Sequence, residues 1–215
     1  PMSLAAYDRA TLGAWLVARG ESPTHAGRLL RAYYAGGGVF DPNALSIGKT
    51  LQARLQEEEH FPVASFVREQ VVSSDGTTKL LLGLRRGGAI ETVMMPSYRD
   101  GEAWCCVSSQ VGCAMGCDFC ASTRSGLDRN LEVDEIVEQF VHVTRAAAEK
   151  NRSVRRLVFM GIGEPMHNLD NVLTAIDHIA GQGLGGLGWS RITVSTVGIV
   201  QGIERMARAE HPPFL

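Results

Sequence analysis

The chain has 215 residues, 45% of them hydrophobic and 20% charged, with a formal net charge of −2. That composition suits a packed globular core and excludes a fibrous or disordered chain. No apolar run reaches the length of a membrane span, and the opening PMSLAAYDRATLGAW lacks the charged-then-apolar layout of a secretory signal, so no membrane partner is expected.

Residues 1–60 predict a small helical domain. Leu4, Leu12, Trp15, Leu16 and Val17 mark one short amphipathic helix, residues 24–34 a second, and the run Gly36 to Gly38 ends it. FDPNALSIGKTLQARLQ predicts a third, with Leu45, Ile47, Leu51 and Leu55 apolar. The acidic run Glu57 to Glu59 and HFP at His60 to Pro62 mark the exit. Six basic residues against three acidic ones give residues 1–55 a charge of +3, leaving −5 for the remainder. A mildly basic module suits contact with RNA phosphates, although a solvated arginine-rich helix face would read the same.

Residues 61–100 change to a period of two. Val63, Ser65, Val67 and Glu69 alternate with residues of the other face, Asp75-Gly76 predicts a hairpin turn, and Arg85 to Gly88 a second one before AIETVMM. This predicts an antiparallel β extension.

Residues 101–215 alternate strand, loop and helix. CCVSSQV reads as a strand, VDEIVEQFVHVTRAAA as a helix with Val133, Ile136, Val137, Phe140 and Val141 on one stripe, and RRLVFMG as a buried parallel strand. NLDNVLTAIDHIA, capped by Asn168 and closed by Gly181, is the next helix; RITVST is a strand and IVQGIERMARA a helix. The expected fold class is therefore α/β, a partial (βα) barrel, with reactive groups at the carboxyl ends of its strands. Cys113, Gly163, Glu164 and Ser195 all fall at or just after such ends.

Cys113, Cys117 and Cys120 lie in CAMGCDFC with spacing C-x3-C-x2-C. Three thiolates on one turn can face a single inorganic core, and this spacing is the signature of the radical S-adenosyl-L-methionine (SAM) superfamily. Thiolates usually hold each iron of a [4Fe-4S] cluster, so three leave one iron open for SAM. Structural zinc is the rival reading, but it closes with four ligands, and only Cys117 and Cys120 make a C-x2-C pair. The six histidines are scattered and are assigned no metal role. Thiols that must ligate iron need a reducing compartment, which predicts the cytoplasm.

The stretch CVSSQVGCAMGCDFCAST from Cys106 to Thr123 resembles the RlmN/Cfr family of RNA methyltransferases. Further blocks agree in order: SSDGTTK at Ser73, IETVMMP at Ile90, RNLEV at Arg129, MGIGEPMHNLDNV at Met160 and RITVSTVGIV at Arg191. The resemblance runs the length of the chain and is nearest the RlmN branch. It implies a radical-SAM barrel preceded by an accessory RNA-binding domain, a [4Fe-4S] cluster on Cys113, Cys117 and Cys120, and SAM held by Gly163, Glu164 and Ser195. The glycines would let the backbone approach the ligand, and Glu164 would accept from the SAM ammonium. It implies also that Glu91 takes a proton from the RNA adenine and that a Cys106 thiolate resolves a covalent enzyme–RNA adduct. Met115 and Phe119 would shield the cluster, and Cys105 is structural.

The implied reaction spends one SAM to methylate a cysteine on a C-terminal loop and a second to generate a radical on that methyl group. That radical adds to adenine C2 of 23S rRNA or tRNA, with an electron donor such as flavodoxin or ferredoxin, in a monomeric enzyme. Relatives continue beyond HPPFL into that loop, and no cysteine follows Cys120, so an incomplete chain is expected. Two alternatives stay open: a radical SAM enzyme with another substrate, and an inactive cluster-, zinc- or RNA-binding protein.

Overall fold

The computed structural model describes residues 2–56 and 61–215; the predicted exit of the helical domain at Glu57 to His60 lies outside the described residues. The N-terminal segment holds α1 (Arg9–Val17), α2 (Ala26–Ala35) and α3 (Lys49–Gln56). Asp8 starts α1 by a reciprocal cap: its carboxylate accepts from the Thr11 N–H, and the Thr11 hydroxyl accepts from the Asp8 N–H. Leu12 and Leu16 are buried, whereas Val17 is exposed, so the apolar stripe is narrower than the sequence predicts. Proline delays the next two helices. Pro23 and Pro42 each open a 3-10 turn, at Pro23–His25 and Pro42–Ala44, so α2 and α3 begin later than predicted. Gly36 closes α2, where a Cβ would stand 1.8 Å from the Val39 carbonyl oxygen.

Among the described residues, eight strands follow. β1 (Ser65–Val72), β2 (Thr78–Leu84), β3 (Ala89–Pro96) and β4 (Glu102–Cys106) pair antiparallel in sequence order. β4 then pairs parallel with β7 (Ser153–Phe159), and β7 with β8 (Ile192–Val194). The β extension and the parallel strands are thus one sheet of order β1-β2-β3-β4-β7-β8. Both predicted turns occur, between β1 and β2 and between β2 and β3. The predicted alternation in β1 does not: after Ser65 every residue of that strand is exposed, because β1 is an edge with neither face covered. CCVSSQV is also not one strand. β4 stops at Cys106, the chain crosses over, and β5 (Gln110–Gly112) pairs instead with β6 (Leu127–Asn130) in a separate two-stranded sheet.

Helices α4 (Val133–Ala148), α5 (Leu169–Ala180) and α6 (Val200–Ala207) complete the chain. Ile136, Val137 and Val143 of α4 and Val172, Ile176 and Ile179 of α5 form one core with Leu80, Leu82, Ile90, Met94, Cys105, Leu157 and Phe159 of the sheet. Each such side chain contributes roughly 1.5–3 kcal/mol of transfer free energy. α4 also buries a second, polar row: Asp134, Glu135, Glu138 and Gln139 are each at most 2% exposed. The N-terminal segment and the sheet turns close over them. Asp134 accepts from the Ser3 N–H and, bidentate, from Arg86; Glu135 accepts two bonds from the Arg129 guanidinium. Glu138 accepts from the Ser3 and Ser65 hydroxyls and from the Ala64 and Ser65 N–H groups. Burial pushes the Glu138 carboxyl above its ordinary pKa, against the four hydrogen bonds.

His142 lies one turn further along. Its Nε2 meets the Ser65 hydroxyl at 3.0 Å and its Nδ1 meets the Arg145 guanidinium at 3.0 Å. The arginine can only donate, so Nδ1 accepts and the ring is neutral. Burial, then Arg145, holds its pKa down at about 4. The unfolded ring binds a proton near 6.5 and the folded one does not, so this group's stabilisation is complete above pH 6.5 and is lost as pH falls to 4. The loss amounts to up to about 3 kcal/mol. Urea denaturation of wild type and His142→Asn across that window should give a flatter pH dependence for the variant; parallel curves would contradict the assignment.

Candidate active site at the carboxyl ends of the parallel strands

The loops that follow β5, β7 and β8 enclose a cavity of about 510 Å³. Cys113, Cys117, Cys120, Gly163, Glu164 and Ser195 all line it, so six of the eight sequence-predicted site residues meet in one place. Cys113 is buried, Cys117 and Cys120 are half-buried, and all five cysteines of the chain are free thiols. A 2.9 Å bond from the Gly116 N–H to the Thr123 hydroxyl and one of 3.0 Å from the Cys120 N–H to the Cys117 carbonyl shape their turn. Among the described residues, the thiols are not drawn together into a preformed metal-ligand group. Phe119, expected to shield a cluster, is 93% exposed at the cavity mouth.

Glu164 is buried rather than open to a ligand. Its Oε1 accepts from the Met166 N–H at 3.0 Å and the Thr196 hydroxyl at 2.7 Å, and its Oε2 from the Val197 N–H at 2.9 Å. A carboxylate has about four acceptor positions, so about one remains for a ligand. The side chain caps the 3-10 turn Pro165–Asn168 and bolts the loop after β7 to the loop after β8. Gly163, at φ 106°, has a reason other than the predicted approach to a ligand: a Cβ there would lie 2.6 Å from the Gln110 side chain. Ser195 is exposed, with its N–H on the Phe159 carbonyl, which leaves its hydroxyl at the cavity wall.

Cys106 and Glu91 do not line the cavity. They share the open face of the sheet, since Glu91 and Val93 lie on one face of β3 and Val93 pairs with Cys106. The two are diagonal cross-strand neighbours, about 7–8 Å apart by strand geometry. Glu91 pairs with Lys79 Nζ at 2.9 Å, and that contact raises the lysine pKa. Cys106 accepts from the N–H of Met160, a residue of the cavity wall. Burial pushes its thiol above the ordinary cysteine pKa, against that bond. Cys105 on the opposite face is fully buried, as expected of a packing residue.

Sequence reasoning missed the polar residues that hold these loops. Gln139 clasps the crossover after β4 with two bonds, accepting from the Ser108 N–H and donating to the Ser108 carbonyl. The Ser108 hydroxyl donates to the Glu91 carbonyl and accepts from the Ile162 N–H. Gln110 accepts from the Glu164 N–H and donates to Asn130. Asn168, predicted as a helix cap, makes no cap bond; its amide donates to the Ser109 and Leu131 carbonyls instead. Ser108, Gln110, Asn130 and Asn168 stand inside the matching sequence blocks, and that was the available signal.

Parallel strands β7 and β8 that carry a Gly-Glu turn and a serine into one cavity with the three-cysteine loop after β5 make the arrangement of a radical SAM enzyme. The chain superposes on a radical SAM methyltransferase from Sphaerobacter thermophilus with a TM-score of 0.90 and 35% identity, covering 99% of this chain and 62% of that one. It is 47% identical over 97% of its length to the probable dual-specificity RNA methyltransferase RlmN 1 of Opitutus terrae, and 39% identical over 97% to the dual-specificity RNA methyltransferase RlmN 1 of Myxococcus xanthus. No protein-family model matches it. The chain belongs to the RlmN family and spans 58% of the length of each of these two relatives. Membership implies SAM and an iron–sulfur cluster. Three thiols on one cavity wall suit the donor chemistry of such a cluster. Among the described residues, no helix is long and apolar enough to cross a membrane.

Loss of the Gln110 amide strands the buried Glu164 N–H and one bond to Asn130. Gln110→Ala should cost about 1–3 kcal/mol of unfolding free energy by urea titration. An unchanged midpoint would show that the clasp is not needed.

Proposed function

We propose that this chain forms the cluster- and SAM-binding part of an RNA methyltransferase that makes 2-methyladenosine in 23S rRNA and tRNA. The observation that carries the reading is the meeting of the three cysteines with Gly163, Glu164 and Ser195 around one cavity. Cys113, Cys117 and Cys120 would hold a [4Fe-4S] cluster. When bound, the cluster and SAM supply an electron and a radical able to abstract hydrogen. The chain's own residues then set position and protons. Glu164 keeps the loops after β7 and β8 in register, and the Ser195 hydroxyl offers a hydrogen bond to SAM. Glu91, held by Lys79 on the open sheet face, accepts the adenine C2 proton at its carboxylate. Cys106, as a thiolate, helps to resolve the enzyme–RNA adduct.

Residues 1–60 serve as the RNA-binding module, residues 61–100 as the β extension and residues 101–215 as part of the barrel. An electron carrier such as flavodoxin or ferredoxin reduces the cluster in the cytoplasm, and the enzyme acts as a monomer.

Protein reconstituted anaerobically with iron and sulfide should be brown, absorb near 400 nm and carry about four irons per chain. Cys113→Ala, Cys117→Ala or Cys120→Ala should each abolish the absorbance, whereas Cys105→Ala and Cys106→Ala should keep it. One equivalent of zinc without iron would overturn the cluster.

A further inference from the structure

A second hollow of about 510 Å³ opens at the opposite end of the parallel strands, where β4, β7 and β8 begin. Four arginines line it: Arg99 from the β3–β4 turn, Arg155 and Arg156 from β7, and Arg191 from the turn before β8. All four are exposed, and Glu102 is the sole carboxylate on the wall among the described residues. None of the four guanidinium groups pairs with a carboxylate among the described residues. The chain as a whole carries a net charge of −2, so this is a local accumulation of positive charge and not an average property. It is also separate from the excess of arginine in residues 1–55.

Two aromatic side chains belong to the same wall. Tyr98 is 84% exposed, with the Arg99 guanidinium 5.6 Å from its ring centroid, and Arg156 stands 5.9 Å from the Trp104 ring. Exposed aromatic rings interleaved with arginine give a nucleobase a face to stack on while the guanidinium forks take phosphate oxygens. An acidic peptide would use the charge and leave the rings idle. Along β7, Arg156 of this hollow and Phe159 of the cysteine-lined cavity are three residues apart, about 10 Å at ~3.3 Å per residue. The two share no lining residue.

We propose that the arginine hollow is a second RNA-binding site, which grips phosphates of the substrate outside the reacting nucleotide with Tyr98 as a stacking surface. The inference rests on the RNA-modifying function proposed above.

Fluorescence anisotropy of a short labelled RNA hairpin against the chain, with the triple variant Arg99→Gln/Arg155→Gln/Arg156→Gln, tests it over a range of salt. The variant should bind about tenfold or more weakly near 0.1 M salt, and its slope of log K against log salt should be shallower by about 2–3, one unit per lost phosphate contact. Arg68→Gln, a change on the exposed edge strand β1, should leave both quantities unaltered, and circular dichroism should show the triple variant folded. If wild type binds the hairpin and the triple variant matches it in affinity and slope, the hollow is rejected while the RNA-modifying reading stands. If wild type does not bind the hairpin, that reading fails as well. Displacement of the hairpin by polyglutamate at equal charge concentration would reassign the hollow to an acidic protein partner.

Discussion

The polar row of α4 is the constraint on which the remaining structure depends. Asp134, Glu135, Glu138 and Gln139 are buried on a helix that is already committed to the core by its apolar stripe. Buried carboxylates are costly unless their oxygens are bonded, and here the partners come from every neighbouring segment. Ser3 comes from the N-terminus, Ala64 and Ser65 from the start of β1, Arg86 from the β2–β3 turn and Arg129 from β6. Deleting a partner leaves a buried carboxylate with fewer bonds, so these contacts hold the segments in one mutual arrangement.

From that row the constraint passes to the site in short steps. Gln139 fixes Ser108; Ser108 fixes the Glu91 carbonyl and the Ile162 N–H; Gln110 fixes the Glu164 N–H. Glu164 in turn fixes Thr196 and Val197, next to Ser195. The close approach at Gly163 admits Gln110 and leaves no room for a side chain. The cysteine turn is the loosest member: Cys117 and Cys120 are half-buried and Phe119 projects outward. The loops after β7 and β8 are therefore the rigid side of the cavity, and the cysteine turn is the adaptable side.

The sequence disclosed what local patterning controls. Turn chemistry at Asp75-Gly76 and Arg85 to Gly88, the apolar stripe of α4 and the alternation of strand and helix after Trp104 were all legible. The meeting of six candidate residues at one cavity was legible as well, because loop residues at strand ends stand out against apolar neighbours and match known blocks. Long-range pairing was hidden. Nothing local says that Glu138 meets Ser65 across the fold, that Asn168 abandons its cap for two carbonyls, or that β4 must stop at Cys106 for Gln139 to clasp Ser108. β1 misled because its period of two has no layer beneath it, and the prolines at 23 and 42 shortened two helices by favouring 3-10 turns.

The central claim is that the three cysteines and the loops after β7 and β8 form one site for cluster and SAM together. Electron paramagnetic resonance of the reduced, reconstituted protein tests this directly, because a cluster with an iron open to SAM changes its spectrum when SAM binds. The structure predicts a [4Fe-4S] signal whose g values shift on addition of SAM and revert when SAM is removed. A signal unaffected by saturating SAM would contradict the shared cavity.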